Sequence, residues 1–142
     1  MADLHFLRLD ASFANQIAAL AQQLNPDKPP EYLRACMDEM FAMSTYRCFG
    51  ALTDGRLVAL SSGWLTTRFY SGRQLEIDNV VVDERFRSDG IGAALLAYIE
   101  AWAREQGCET IELNAYVHNA LAHRFYFRHG YHILGFHFQK KV

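Results

Sequence analysis

Hydrophobic and polar positions repeat along this chain at two periods, and the switches between them outline the elements. Residues 3–9 alternate loosely and predict a first strand. Ser12 stands ahead of Phe13, Ile17, Leu20 and Leu24, so it is expected to cap a helix with one apolar side. The run Asn25-Pro26-Asp27-Lys28-Pro29-Pro30 breaks that helix. Leu33, Cys36, Met37, Met40 and Phe41 then recur at helical spacing and predict a second. Residues 45–53 and 56–69 read as strands joined at Asp54-Gly55, a hairpin-turn pair. Ser71-Gly72-Arg73 turns the chain into a strand from Gln74 to Val82. The strongest helical stripe follows, with Ile91, Ala94, Leu95, Tyr98, Ile99 and Trp102 on one side and Gly107 at its end. Thr110–Tyr116 predicts a strand, Asn119 to about His129 a short helix, and Tyr131–Lys140 a closing strand. The expected order is β-α-α-β-β-β-α-β-α-β, an α/β class with antiparallel hairpins in the middle.

Composition narrows what such a fold does. In 142 residues, 51% are hydrophobic and 21% charged, which excludes a disordered or collagen-like chain and fits one domain. Fourteen basic against sixteen acidic residues leave a net charge of −2, so a dedicated nucleic-acid partner is not expected. Acidic residues interrupt the apolar start, so no signal peptide is expected, and no run reaches the ~18 residues of a membrane span. Cys36, Cys48 and Cys108 are odd in number and have no metal or redox spacing; free thiols in a reducing cytoplasm are expected.

The candidate chemistry starts where Val80-Val81-Val82 runs through Asp83–Gly92 into the long helix. A strand, a glycine-bearing loop and a helix N-terminus form an anion cradle, because the first-turn N–H groups lack carbonyl partners. Gly90 and Gly92 remove side chains that would block a phosphate, and Arg85 and Arg87 are expected to add cationic reach. A Walker A loop is excluded, since no Gly-Lys-Ser/Thr triplet occurs. A dinucleotide fingerprint requires a small residue where Leu95 stands, and Glu112, at ribose distance, reads more simply as a solvated strand residue.

The segment Arg87-Ser88-Asp89-Gly90-Ile91-Gly92 has the form R-x-x-G-x-G and resembles the acetyl-CoA pyrophosphate loop of the GNAT superfamily of N-acetyltransferases. Asn119, Ala122 and Tyr126, ahead of His129-Gly130-Tyr131, are similar to that family's second signature. The resemblance implies a single N-acetyltransferase domain over residues 1–142, with a mixed, largely antiparallel sheet flanked by helices. It implies acetyl-CoA as co-substrate, held by Arg87, Ser88, Asp89, Gly90, Ile91 and Gly92, by Asn119, Ala122 and Tyr126, and by the backbone of Val80, Val81 and Val82. One departure stands out: only about a dozen residues follow Gly130, whereas the family often closes with a two-strand hairpin.

Acetyl transfer from a thioester to an amine needs a base, an oxyanion donor and an acid for the leaving thiolate. Alternation puts Glu76 and Asp78 on one strand face and Leu75 and Ile77 on the other, so the carboxylates are expected to face the cleft and bind the amine. Glu76 lies eleven residues before Arg87, a spacing that resembles the family's catalytic glutamate, and is the candidate general base through a water. Tyr126 is the candidate acid: a phenol near pKa 10 and a thiol near 8.5 are close to balanced for proton transfer. The family resemblance sets this hydroxyl beside the CoA sulfur.

His118, His123, His129, His132 and His137 lack ligand spacing, so no metal is expected. The run from Ala122 to Tyr131, with Phe136-His137-Phe138-Gln139-Lys140, is similar to small bacterial aminoalkylphosphonate N-acetyltransferases. The expected acceptor is the primary amine of a small molecule, since nothing in the chain suggests a long peptide groove; polyamine, aminoglycoside, amino-sugar and protein N-terminal acceptors stay open. A catalytically silent CoA-binding or interaction module of the same fold is the alternative. An unpaired closing strand would invite a second chain, so a homodimer is expected.

Overall fold

The computed structural model describes residues 3–142, which fall into two compact units, 3–112 and 113–142. The first unit is built on a sheet of strands β1 (His5–Arg8), β2 (Tyr46–Thr53), β3 (Arg56–Arg68), β4 (Gly72–Val82) and β5 (Thr110–Leu113), in that spatial order. The first four pair antiparallel in sequence. Between β1 and β2 run helices α1 (Ala14–Leu24) and α2 (Pro30–Ala42), and α3 (Ile91–Glu105) links β4 to β5. The sequence-predicted elements of this unit all form, with ends displaced by a few residues.

Local chemistry explains most boundaries. Asp54 and Gly55 both have positive φ, 49° and 73°, as the tightest hairpin turn requires. Asn25 stops α1 by donating its side-chain amide to the Ala21 carbonyl at 3.0 Å, and Pro30 starts α2, where its missing N–H costs no helical bond. One expectation is corrected here: Ser12 caps nothing. Asp10 is the cap, accepting from the Ser12 backbone N–H at 2.9 Å across a single 3-10 turn, Ala11–Phe13, that precedes α1.

The register divides the sheet into two faces. Tyr46 pairs with Trp64 and Cys48 with Ser62; Trp64 pairs in turn with Glu76, and Ser62 with Asp78. These positions look toward α1 and α2, where Leu9, Ile17, Leu20, Met37, Leu57 and Leu60 complete a core. Phe49, Leu75 and Ile77 lie on the opposite face at 0–1% exposure. Phe49 meets Trp102 and Tyr98 of α3 edge-on, with ring centroids 5.0 and 6.4 Å apart. Gly63 sits against Phe49 and Leu75, where an added Cβ would come within 3.0 Å of each.

The second unit contains α4 (Ala120–Arg128), and Asn119 caps it by accepting from the Ala122 N–H at 3.1 Å. Two expectations fail here. The strand predicted over Thr110–Tyr116 ends at Leu113. The closing strand, Tyr131–Lys140, is not a strand: residues 131–142 join no ladder. Their alternation is intact, but strand structure needs a partner edge, and Ile133, Leu134, Phe136 and Phe138 remain 66–89% exposed.

Candidate active site

The pairing of β3 with β4 carries an irregularity at the centre of the candidate site. Ser62 pairs with Asp78 and Leu60 with Val81, so Ser61 alone opposes both Asn79 and Val80. This is a β-bulge, and it changes which way the strand faces. Strict alternation would set Val81 with Leu75 and Ile77; the extra residue sends it to the other face, into the core with Leu60. Asn79 holds the bulge in the left-handed region at φ 53°. Its backbone N–H donates to the Asp78 carboxylate at 2.8 Å and its side-chain amide to Ser62 Oγ at 3.1 Å. Ser62 Oγ also bonds the Tyr46 hydroxyl at 2.7 Å. Burial pushes the Tyr46 phenol well above its ordinary value and the neighbouring Cys48 thiol to about 11, so both are neutral fixtures beneath the bulge. Sequence reading missed this network, although an Asn within a valine-rich strand was the available signal.

Glu76 and Asp78 share one face, as alternation predicts, with Leu75 and Ile77 buried on the other. Glu76 is half-buried and meets Arg68 of β3, with Nη2 to Oε2 at 3.4 Å. Arg68 was not singled out from the sequence. Nor was Glu112 recognised as bonded: its Oε1 accepts from the Tyr70 hydroxyl at 2.6 Å.

Beyond Val82 the chain makes a single 3-10 turn, Glu84–Phe86, and reaches the glycine loop. Asp83 is buried at 3% exposure and pairs with Arg85, Oδ2 to Nη2 at 2.9 Å. The cationic reach expected of Arg85 is thus committed to shaping the loop. Arg87 uses its Nε on the Val82 carbonyl at 3.1 Å and keeps its terminal nitrogens for other partners. Ser88 and Gly90 both take positive φ, 73° and 76°. Gly90 is the residue before α3, and the first helical bond runs from the Ala94 N–H to its carbonyl at 3.1 Å. The N–H groups of Ile91, Gly92 and Ala93 therefore have no intrahelical acceptor, and the helix dipole adds partial positive charge there. A Cβ on Gly90 would meet no protein atom within 4 Å. Its glycine is required by backbone conformation, and the space in front is open to a phosphate.

In the second unit, Asn119 and Ala122 bond to each other as the helix cap. Tyr126 packs edge-on against Phe125 and Tyr131, with centroids 5.2 and 5.6 Å apart. Gly130, at φ 88°, ends α4 rather than opening a strand. Among the late histidines, His123 bonds the Tyr116 carbonyl at 2.9 Å and His129 lies against Phe125.

The corner of strand, glycine loop and open helix N-terminus, beside a bulged strand carrying carboxylates, is thus in place on this fold. The acetyltransferase (GNAT) family model matches residues 17–131, and the chain belongs to that family. It is 36% identical over 93 residues to an aminoalkylphosphonate N-acetyltransferase of Salmonella typhimurium, a match covering 65% of this chain and 60% of that enzyme. It is 32% identical over 98 residues to a type 1 aminoglycoside N(6')-acetyltransferase of Serratia marcescens, covering 66% of this chain and 67% of that one. The chain thus spans less than two thirds of the first relative's length. In fold it matches an aminoglycoside N-acetyltransferase solved with CoA, with a TM-score of 0.87 at 16% identity over 100% of this chain and 96% of that one. It also matches a putative acetyltransferase of Agrobacterium tumefaciens, with a TM-score of 0.85 at 22% identity over 97% and 99% of the two chains. Among the described residues, no helix is long and apolar enough to cross a membrane.

Proposed function

We propose that this chain, as one domain over residues 1–142, transfers an acetyl group from acetyl-CoA to the primary amine of a small molecule. The observation that carries the reading is the loop Arg87–Gly92, where two left-handed residues deliver the open N-terminus of α3 to an anion. Arg87, Ser88, Asp89, Gly90, Ile91 and Gly92 would hold the pyrophosphate, largely through backbone N–H groups. Val80, Val81 and Val82 would serve the pantetheine arm with backbone groups; Val80 suits this because the bulge removes it from the ladder with β3. Asn119 and Ala122 shape the helix that carries Tyr126. Acetyl-CoA supplies the acyl group in activated form, as a thioester.

The residues divide the rest of the work. Glu76 and Asp78 attract the acceptor's ammonium, and Glu76 takes its proton through water. An alkyl ammonium has a pKa near 10, so at pH 7 only about one amine in a thousand is ready to attack unaided. Tyr126 donates the proton that the departing thiolate needs. The names of the relatives support an amine of the aminoalkylphosphonate or aminoglycoside kind.

The test is thiol release from acetyl-CoA against a panel holding both kinds of amine, with wild type and Glu76→Gln. Wild type should turn over at least one of them, and the substitution should lower turnover by at least ~10²-fold near pH 7. CoA binding without turnover of any amine would sink the enzymatic reading. We further propose a homodimer, because Ile133, Leu134, Phe136 and Phe138 form an exposed apolar run without a ladder partner. Light scattering showing a monomer at high micromolar concentration would refute that.

A further inference from the structure

We propose that Arg68 is a positioning residue for Glu76, aimed by a polar relay that runs from β3 across β4 to β5. The proposal rests on the reading of Glu76 as the base. Arg68 pairs with Gly72 at the end of the hairpin, four positions from Trp64, the partner of Glu76. Its guanidinium reaches back along β4, where Nη2 meets Glu76 Oε2 at 3.4 Å. The same edge of the guanidinium has a second partner. With the Gln74 amide oriented to suit its neighbours, Gln74 Oε1 accepts from Arg68 Nε at 3.3 Å.

Gln74 is a firm anchor. It is fully buried, and its amide nitrogen donates to Glu112 Oε2 at 2.9 Å and to Ser71 Oγ. Glu112 is held from its other oxygen by Tyr70 at 2.6 Å. The direction of the Gln74 amide is thus set by partners on two elements. That direction fixes which donor of Arg68 is left for Glu76. Only a planar fork with donors on one edge satisfies both acceptors at once, which lysine does not provide.

The surroundings make the cation necessary. Asp78 lies two residues along the same face of β4, and Glu112 lies across on β5. Tyr46 on β2 and Tyr70 in the β3–β4 turn are neutral phenols raised above their ordinary values. Of the helices on this face, α1 carries no ionisable side chain and α2 carries Glu31, Tyr32, Arg34, Cys36, Asp38 and Glu39, its cation Arg34 being bonded to Asn15 at 2.7 Å; the Tyr98, Glu100, Arg104 and Glu105 side chains belong to α3, packed on the opposite face. Arg68 is the cation this relay sets against Glu76. Both members are substantially exposed, 47% and 33%, and an exposed pair adds little to folding stability. Its consequence is orientation, since a displacement of about 1 Å at a reacting group costs on the order of 10² in rate.

A double-mutant cycle tests this, using whichever aminoalkylphosphonate or aminoglycoside wild type acetylates. Arg68→Met should lower kcat about tenfold or more with KM for acetyl-CoA unchanged within about twofold. Combined with Glu76→Gln it should add nothing, because Arg68 acts through that carboxylate. Arg68→Lys should fall between wild type and Arg68→Met. In the ligand-free protein, the Nε–H resonance of Arg68 should move in Glu76→Gln. Losses that multiply in the double variant, or an Arg68→Met enzyme with wild-type kcat, would overturn the positioning role and leave Glu76 as base. A fully active Glu76→Gln would remove the base assignment first, and the positioning role with it.

Discussion

Asn79 is the residue on which the geometry of β4 turns, and its replacement separates conformation from contact. An L residue at φ 53° carries a cost of roughly 1–2 kcal/mol that Asn partly avoids and Gly escapes. The bond from its amide to Ser62 Oγ, at 3.1 Å, adds a net ~0.5–1.5 kcal/mol. Asn79→Gly removes only the bond, with a further ~0.5–1 kcal/mol from the freer unfolded chain. Asn79→Ala removes the bond and imposes the left-handed cost, together roughly 1.5–3.5 kcal/mol. Asn79→Val should be worse again, since a branched Cβ crowds the backbone in that region. Equilibrium urea unfolding should therefore rank the four proteins Asn, Gly, Ala, Val. Titration calorimetry with acetyl-CoA carries the argument to the site. If the bulge is what frees the Val80 backbone for the pantetheine arm, affinity should hold in Asn79→Gly and fall in Asn79→Ala and Asn79→Val. Equal stability of the Gly and Ala variants would refute the claim that left-handed geometry holds the bulge. Undiminished binding in Asn79→Val would refute its link to the co-substrate.

Other measurements address separate parts of the site. Gly90→Ala leaves the space around the loop unfilled by protein but strains φ 76°, so acetyl-CoA affinity should fall about tenfold, ~1.4 kcal/mol, by calorimetry; unchanged affinity would detach the loop from phosphate binding. Tyr126→Phe should lower turnover about 10²–10⁴-fold while acetyl-CoA binding barely changes, and weaker binding with turnover preserved at saturation would make the tyrosine a packing contact. The Cys48 thiol is raised from about 9 to about 11 on folding, so the folded state holds its proton where the unfolded chain releases it. That contribution is fully present below pH 9 and is lost as pH rises from 9 through 11, a decline on the order of 2–3 kcal/mol. Urea unfolding of Cys48→Ala should show a shallower decline over that window, and an identical slope would remove Cys48 as its source.

Much of this architecture is legible because its signals are local. The Asp54-Gly55 turn, the Pro30 start and the apolar stripe of α3 each specify an element from a few neighbouring residues. The opposite facing of Glu76 and Leu75 follows from strand periodicity alone. Where sequence reading failed, the deciding interaction was set by local backbone geometry, by burial or by the sheet register, none of which residue pattern alone encodes. Ser12 looked like a cap, but the Asp10 carboxylate accepts from Ser12's own N–H and caps a 3-10 turn that sets Ser12 inside the turn, ahead of α1. Residues 131–140 have strand-like alternation without an edge to pair with. Arg85 looked like a free cation because nothing in the sequence says that Asp83 would be buried beside it. Arg68 and Glu112 lie on strands flanking β4, and only the sheet register brings them to Gln74.

β4 does two kinds of work, and the bulge is what lets one strand do both. On the side of Gly72 its pleat is regular: buried Leu75 and Ile77 lock it under α3, and that packing holds Glu76 and Asp78 outward on the other face. On the side of Val82 it must lead into the loop that leaves the first N–H groups of α3 without intrahelical acceptors. A regular pleat would keep every N–H and C=O on its edge in the ladder with β3 and would turn Val81 toward α3. One extra residue breaks that register, takes Asn79 and Val80 out of the pairing with β3, and returns Val81 to the core beside Leu60. The buried hydroxyls of Tyr46 and Ser62 give the misfit a specific partner in Asn79, so the irregularity is held in one place. The polar relay through Gln74 then fixes the regular half, and the Tyr46–Ser62–Asn79 network fixes the irregular half. Substitutions in the first network should therefore alter proton transfer with co-substrate affinity intact, and substitutions in the second should do the reverse. A substitution in either network that changed both together would show that the two halves of β4 are not independent.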